Sequence, residues 1–313
     1  MYKGFFNLKR NPFEITPDPA FLFPTHRHNE ALAALYYGVE RRKGFVVMTG
    51  EVGTGKTLIV RCLLEYLKQL HVTYAYVFNS RLSPEEFLRY IAGDLGIPAT
   101  GKTKGELLLD LSTYLVARYQ KQRTTVLVVD EAHHLSADVL EEIRLLTNLE
   151  TADQKLLQIV LVGQPELELK LDSPGLRQLK QRIAWRSHLA PLSREETSGY
   201  IHRRLRIGGA NSHALSLFSD ESVSAIYRHS GGVPRLINTV CENALIIAYA
   251  RQVRIITPAI VEEAAQDLRL EVVSMVADQQ RPTDEEELRQ AVRTLLHISE
   301  VLQTRLQDKK ITT

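Results

Sequence analysis

The sequence has little of several features that would assign it to a class at once. Its 313 residues hold two cysteines, Cys62 and Cys241. That is too few for a disulfide framework, and neither has neighbours at metal-ligand spacing, so both read as small apolar residues of a reducing compartment. No stretch reaches the roughly 18 apolar residues of a membrane-spanning helix. The N-terminal segment MYKGFFNLKRNPFEITPDPAF is broken by prolines and charges and lacks the apolar centre of a signal peptide. These absences predict a cytoplasmic protein. An excess of one charge is also missing. The 39 Lys+Arg against 37 Asp+Glu leave a net charge of +2, which excludes a protein that coats DNA by global charge but leaves room for a local basic patch. There are no internal repeats of about 20–50 residues and no low-complexity tract.

What is present is ordinary for a soluble globular chain: 44% hydrophobic and 24% charged residues. The length suggests two domains. Residues 1–25 carry Pro12, Pro17, Pro19 and Pro24 and are expected to form an extended arm, pinned by Phe5, Phe6, Phe13, Phe21 and Phe23. A helix is expected from about His28 to Arg42. Apolar runs at 44–50, 72–79, 125–130 and 156–163 then alternate with helical patterns, which predicts an α/β fold with a parallel sheet covered on both faces. After Pro191 the strands stop. Helical segments at about 194–207, 219–230, 234–250 and 257–268 predict an all-helical second domain. The expected division is an arm and first helix packing on the core (1–43), an α/β domain (44–190), a helical lid (191–270) and a tail (271–313). In the tail Leu288, Val292, Leu295, Ser299, Leu302 and Leu306 follow a heptad-like spacing. That helix suits either packing on its own body or pairing between molecules.

The chemistry concentrates at Gly50-Glu51-Val52-Gly53-Thr54-Gly55-Lys56-Thr57, which matches the phosphate-loop pattern GxxxxGK[ST]. It follows a buried strand and opens a helix, as the pattern requires. The glycines allow successive N–H groups to face a phosphate chain, and the helix N-terminus favours anions. Lys56 supplies charge to the β- and γ-phosphates, and Thr57 a hydroxyl ligand for Mg²⁺. Asp130 ends the apolar run VLVVD, so its carboxylate should emerge beside the loop as the second metal-holding group. Glu131, immediately after, is placed to activate water, which points to hydrolysis rather than binding alone. His133 and His134 suggest a metal pair, but adjacent residues on a helix point about 100° apart, so no site is expected there.

At this point the sequence resembles the AAA+ ATPases, which join a P-loop α/β domain to a small helical lid. The resemblance implies ATP as the nucleotide. It places Gln164, after strand IVLVG, where that family senses the γ-phosphate, and Arg235, in GGVPR, where the lid contributes a sensor. The segment KQRI resembles the one bearing the family's arginine finger. Arg182 is then the first candidate to serve a neighbouring subunit, with Arg177 and Arg186 as competitors. Finer still, FFNLKRNPFEITPDPAFLF, GEVGTGKT, DEAHHL, LLTNLET and LLQIVLVGQPEL resemble the ExeA/GspA group of secretion-associated ATPases over about residues 1–270, with TnsC/TniB-type transposition ATPases sharing the organisation. The ExeA/GspA group often has Gln where this chain has His133. Its members typically continue into a membrane span and a periplasmic peptidoglycan-binding domain, and neither occurs in these 313 residues. The resemblance implies a ring- or filament-forming ATPase working with an export or envelope machine. The other reading is a regulator of transposition that binds duplex DNA, for which the loop Gly101-Lys102-Thr103-Lys104-Gly105 and the stretch His202-Arg203-Arg204-Leu205-Arg206 are the basic candidates.

Overall fold

The computed structural model describes residues 2–78, 81–209 and 216–270. The expected tail helix lies outside them.

Five parallel strands form one sheet in the order β2-β3-β4-β1-β5: β1 (Phe45–Gly50), β2 (Thr73–Val77), β3 (Thr125–Val129), β4 (Leu157–Gly163) and β5 (Trp185–Leu189). β1, β3 and β4 are buried along their whole lengths, as strands covered on both faces must be. Successive side chains alternate between two cores. Phe45, Val47, Leu127, Val129, Ile159 and Leu161 face one; Val46, Met48, Val126, Val128, Val160 and Val162 face the other. The register couples them directly, Val47 opposite Leu161 and Val128 opposite Val160.

Helices cover both faces. α1 (Tyr2–Phe5) belongs to the arm, while α2 (His26–Glu40) and α3 (Lys56–Gln69) seal one face through Leu32, Leu35, Ile59 and Leu63. α4 (Pro84–Asp94), α5 (Lys104–Gln120), α6 (Ala137–Leu146), α7 (Glu166–Leu171) and α8 (Arg177–Lys180) cover the other. Sequence sets their starts. Ser83 with Glu86, and Thr103 with Glu106, close capping boxes in which side chain and backbone satisfy each other reciprocally. Leu107, Leu111 and Leu115 then recur every four residues on the buried stripe of α5.

β5 is a difference from the sequence reading, whose four apolar runs predicted no fifth strand. α8 stops at Lys180, and Ala184 N–H donates to Phe45 O to start the pairing of WRSHL with β1. The segment carries Arg, Ser and His because it is a sheet edge, with three of its five residues at least partly exposed.

The C-terminal region is helical: α9 (Arg194–Ile207), α10 (Asp220–Ser230), α11 (Pro234–Ala250) and α12 (Pro258–Asp267) share a core of Ile201, Leu205, Ile226, Ile237, Val240, Cys241 and Val261. The arm was expected to pack on the α/β core. Its side chains Tyr2, Phe6, Leu8 and Phe13 instead join the core of this helical region, whereas α2 does lie on the sheet. Polar contacts hold it there. Tyr2 Oη donates to Glu242 Oε2 at 2.7 Å, and Arg204 Nη1 donates to Pro12 O at 2.8 Å and Glu14 O at 3.2 Å. The guanidinium groups of Arg10 and Arg204 lie 4.4 and 4.7 Å from the centre of the Phe21 ring. Besides α1, the arm contains one 3-10 turn, Pro19–Phe21, capped by Asp18.

Candidate active site

The loop Glu51–Gly55 leaves the C-terminal end of β1, the strand where the chain order of the sheet reverses, and α3 begins at Lys56. Ligands of open parallel sheets bind at such a point. Gly53 has φ +82, and a Cβ there would stand 2.8 Å from Arg235 Cβ, so only glycine allows both the turn and the approach of α11. Arg235 N–H donates to Gly53 O at 3.2 Å, which ties the helical region to the loop.

Lys56 is buried. Its ammonium donates to Gly50 O at 2.7 Å and Glu51 O at 2.9 Å. Burial lowers its pKa, and the nearby Glu131 and Asp130 oppose that shift. Thr57 Oγ1 donates to Asp130 Oδ2 at 3.4 Å. Asp130 is 4% exposed; burial raises its pKa, opposed by its hydrogen bond with the Glu131 N–H at 2.9 Å. Hydroxyl and carboxylate oxygens at this spacing are the donor set of a hard cation such as Mg²⁺, and the residues fit one.

Glu131 adopts a left-handed conformation, φ 51. It enters a single 3-10 turn, Ala132–His134, not an α-helix. Adjacent residues in such a turn diverge by about 120°, yet the side chains fold together so that the His133 and His134 ring centres lie 4.0 Å apart, tilted by 42°. The ligand atoms of Glu131, His133 and His134 all lie within 4.8 Å of one another. Burial is the first cause lowering the His133 pKa, and the neighbouring His134 is the second.

A cavity of about 320 Å³ opens over the loop. It is lined by Lys56, Thr57, Glu131, Gln164 and Arg235 among the expected residues, and also by Ile15, Pro17, Tyr200, Arg204 and Asn238. Arm, sheet and helical region thus share one cavity. Arg182 is elsewhere, donating to Thr147 Oγ1 at 2.7 Å. Arg186 is paired with Glu168, and Arg177 is exposed on α8.

Several residues at the site carry no local sequence signal. Tyr76 reaches from β2 to within 3.3 Å of Asp130 Oδ2. His28, buried at the start of α2, meets Thr25 Oγ1 at 2.6 Å and the main chain of Thr54 in the loop. The basic candidates for DNA are differently employed: Lys102 and Lys104 pair with Asp110 and Glu142, Arg203 donates to Leu22 O, and Arg204 holds the arm.

Comparison with known proteins agrees with this arrangement. Residues 39–171 match the AAA domain family. General secretion pathway protein A of Aeromonas hydrophila is 46% identical over 252 residues, covering 80% of this chain but 45% of that protein. The chain therefore spans less than half of that relative. The Mu-like prophage FluMu DNA transposition protein B of Haemophilus influenzae is 32% identical over 123 residues, 39% of this chain and 38% of that one. Among solved structures, the ORC2 protein of Aeropyrum pernix, in ADPNP and ADP complexes, superposes with a TM-score of 0.64 at 18% identity, covering 83% of this chain and 72% of that one. That likeness is one of fold. No helix among the described residues is long and apolar enough to cross a membrane.

Proposed function

From a chain that carries a AAA domain, has the AAA+ fold and is a relative of general secretion pathway protein A, we propose an Mg²⁺-dependent ATP hydrolase whose nucleotide state governs self-assembly. The observation that carries this reading is a single cavity faced by the loop cation Lys56, the carboxylate Glu131, the amide Gln164 and the guanidinium Arg235. The loop N–H groups of Gly50–Thr57 and Lys56 bind the phosphates. Thr57 and Asp130 hold Mg²⁺, which supplies charge neutralisation at the phosphates. Glu131 takes a proton from water, while Gln164 and Arg235 contact the terminal phosphate from sheet and helical region. Because Arg235 is hydrogen-bonded to the loop through its main chain, occupancy of the site bears on how the helical region sits.

A trans-acting arginine would complete the site from a neighbouring copy, which favours a ring or filament when ATP is bound. Arg182, the first candidate, would have to leave Thr147, and Arg186 would have to leave Glu168. Arg177 is exposed and has no such partner to leave among the described residues. The process served is export or envelope assembly, from the inner face of the membrane through a protein partner, as the secretion-named relative suggests. Transposition on duplex DNA is the second reading, favoured by the match to the FluMu protein. The pairing of Lys102 and Lys104 with carboxylates counts against it.

The test is Glu131→Gln, expected to bind ATP as the wild type does and to lose turnover by at least about 100-fold. Unchanged turnover would remove the reading. ATP-dependent, salt-sensitive retention of duplex DNA would move the assignment to transposition.

A further inference from the structure

The Gln164 main-chain N–H points at His133 Nδ1 from 3.4 Å, so that nitrogen is an acceptor and the neutral ring carries its proton on Nε2. The Glu131 carboxylate is an acceptor as well. Its Oε2 stands 3.4 Å from Nδ1 with no proton to join them. Two electron-pair donors that face each other in this way are two ligands of a cation. The neighbouring ring supplies a third: one oxygen of Glu131 and one nitrogen each of His133 and His134 all lie within 4.8 Å of one another.

The spacing suits one class of ion. Imidazole and carboxylate ligands at about 2.0–2.1 Å from a tetrahedral ion stand about 3.3–3.4 Å from each other, and the Nδ1–Oε2 pair is already at that separation. His134 is exposed, so rotation of its side chain closes the remaining gap without disturbing the core. Imidazole nitrogen suits Zn²⁺ and its neighbours, whereas Mg²⁺ takes an octahedron of oxygens. An outer shell is also present. A ligating imidazole holds its other N–H to an acceptor, and the Gln164 amide lies 3.0 Å from His133 Nε2, where a half-turn brings its oxygen. Lys170 Nζ donates to the carbonyls of His133 and Leu135, the latter at 2.8 Å, and braces the turn. Ligation gives up the Gln164 N–H bond to Nδ1, which its length marks as weak. A carboxylate has about four acceptor sites, so ligation through Oε2 leaves the rest of Glu131 to other partners. His133 is the buried ligand, with a side chain 7% exposed, while Glu131 at 42% leaves the ion a path from solvent.

We propose that Glu131, His133 and His134 form a transition-metal site, separate from Thr57 and Asp130, at which Zn²⁺ inhibits turnover by engaging Glu131. The inhibition rests on the hydrolytic reading above; the binding does not.

The test uses the full chain. Calorimetric titration with Zn²⁺ in excess Mg²⁺ and without nucleotide should give one site per chain, and Co²⁺ in its place should show the visible absorption of a tetrahedral ion. His134→Ala and His133→Gln should each weaken Zn²⁺ binding at least about tenfold, since even an outer-shell partner is worth that much. His134→Ala alters an exposed side chain, so its turnover without Zn²⁺ should stay within about twofold of wild type. With free Zn²⁺ set by a metal buffer, wild-type turnover should fall and His134→Ala should resist. If His133→Gln does not fold, His134→Ala alone decides. Equal Zn²⁺ affinity or equal inhibition in the variant and the wild type would overturn the proposal, as would relief of inhibition by Mg²⁺, which would place the ion at Thr57 and Asp130. Failure of the hydrolytic reading is distinct: Glu131→Gln would then hydrolyse ATP as the wild type does, while the Co²⁺ absorption of the unaltered chain would persist.

Discussion

The hydroxyl of Tyr76 and the carboxylate of Asp130 meet at 3.3 Å, on the same oxygen, Oδ2, that Thr57 approaches at 3.4 Å. Two donors from different elements thus converge on the acid expected to hold the metal. Burial raises the Asp130 pKa, and the Tyr76 hydrogen bond pulls it back down.

Tyr76→Phe removes that opposing effect. The Asp130 carboxyl should then stay protonated to a higher pH, and the acid limb of Mg²⁺-dependent nucleotide binding should move up by about half to one pH unit, the worth of one hydrogen bond. Near pH 8 the variant and the wild type should bind alike. Magnesium titrations followed by fluorescent nucleotide across about pH 5 to 8 read this directly; an unmoved limb would dismiss the role of the phenol.

His28 supplies a pH dependence of stability. Burial lowers its pKa below the ordinary 6.5. The unfolded chain therefore takes up a proton near 6.5 that the folded protein refuses until lower pH, so the unfolded state binds more protons in that window. Stability is full above about pH 6.5 and falls as the solution is acidified toward the depressed folded value. Thermal melts of the wild type should decline through this range, and His28→Gln should show a flatter profile. Equal slopes would mean that the imidazole is not protonated on unfolding.

Arg204 fastens the arm. Its side chain is almost wholly buried, it donates to two arm carbonyls and it packs on Phe21. Arg204→Ala should cost about 2–3 kcal/mol through lost charge-assisted hydrogen bonds, lower Tm, and expose the stretch before Thr25 to proteases. Arg204→Lys should rescue little, because a single ammonium cannot bond two carbonyls and stack on a ring together. A protease pattern like that of the wild type would show that the aromatic side chains alone retain the arm.

The sequence and the structure agree where the determinants are contiguous. Gly50–Thr57 is legible because one loop contains all the groups that must face a phosphate, and VLVVD because an acid at the end of an apolar run can only emerge at the sheet edge. β5 was hidden because an edge strand does not need an apolar pattern; Arg186 and His188 are tolerated where one side faces solvent. Tyr200 and Asn238 reach the cavity, Tyr76 reaches Asp130 and His28 reaches the loop through tertiary packing between distant segments, and no local spacing announces such a meeting. The meeting of the His133 and His134 rings comes from side-chain orientation, not from backbone spacing: Glu131 at φ 51 starts a 3-10 turn in which adjacent residues diverge by about 120°.

The cavity has a consequence for the chain as a polymer. Its walls come from Ile15 and Pro17 near the beginning, Lys56 at the start of α3, Glu131 just beyond β3, and Arg235 and Asn238 in α11. A molecule lodged against all of them is a reversible cross-link between sections of polypeptide that otherwise meet only through folding. Whatever occupies the site shifts the folding equilibrium by RT ln(1 + [L]/Kd), a gain that grows with its concentration. Filling and emptying the site therefore alternately tightens and slackens the whole chain from its arm to its eleventh helix.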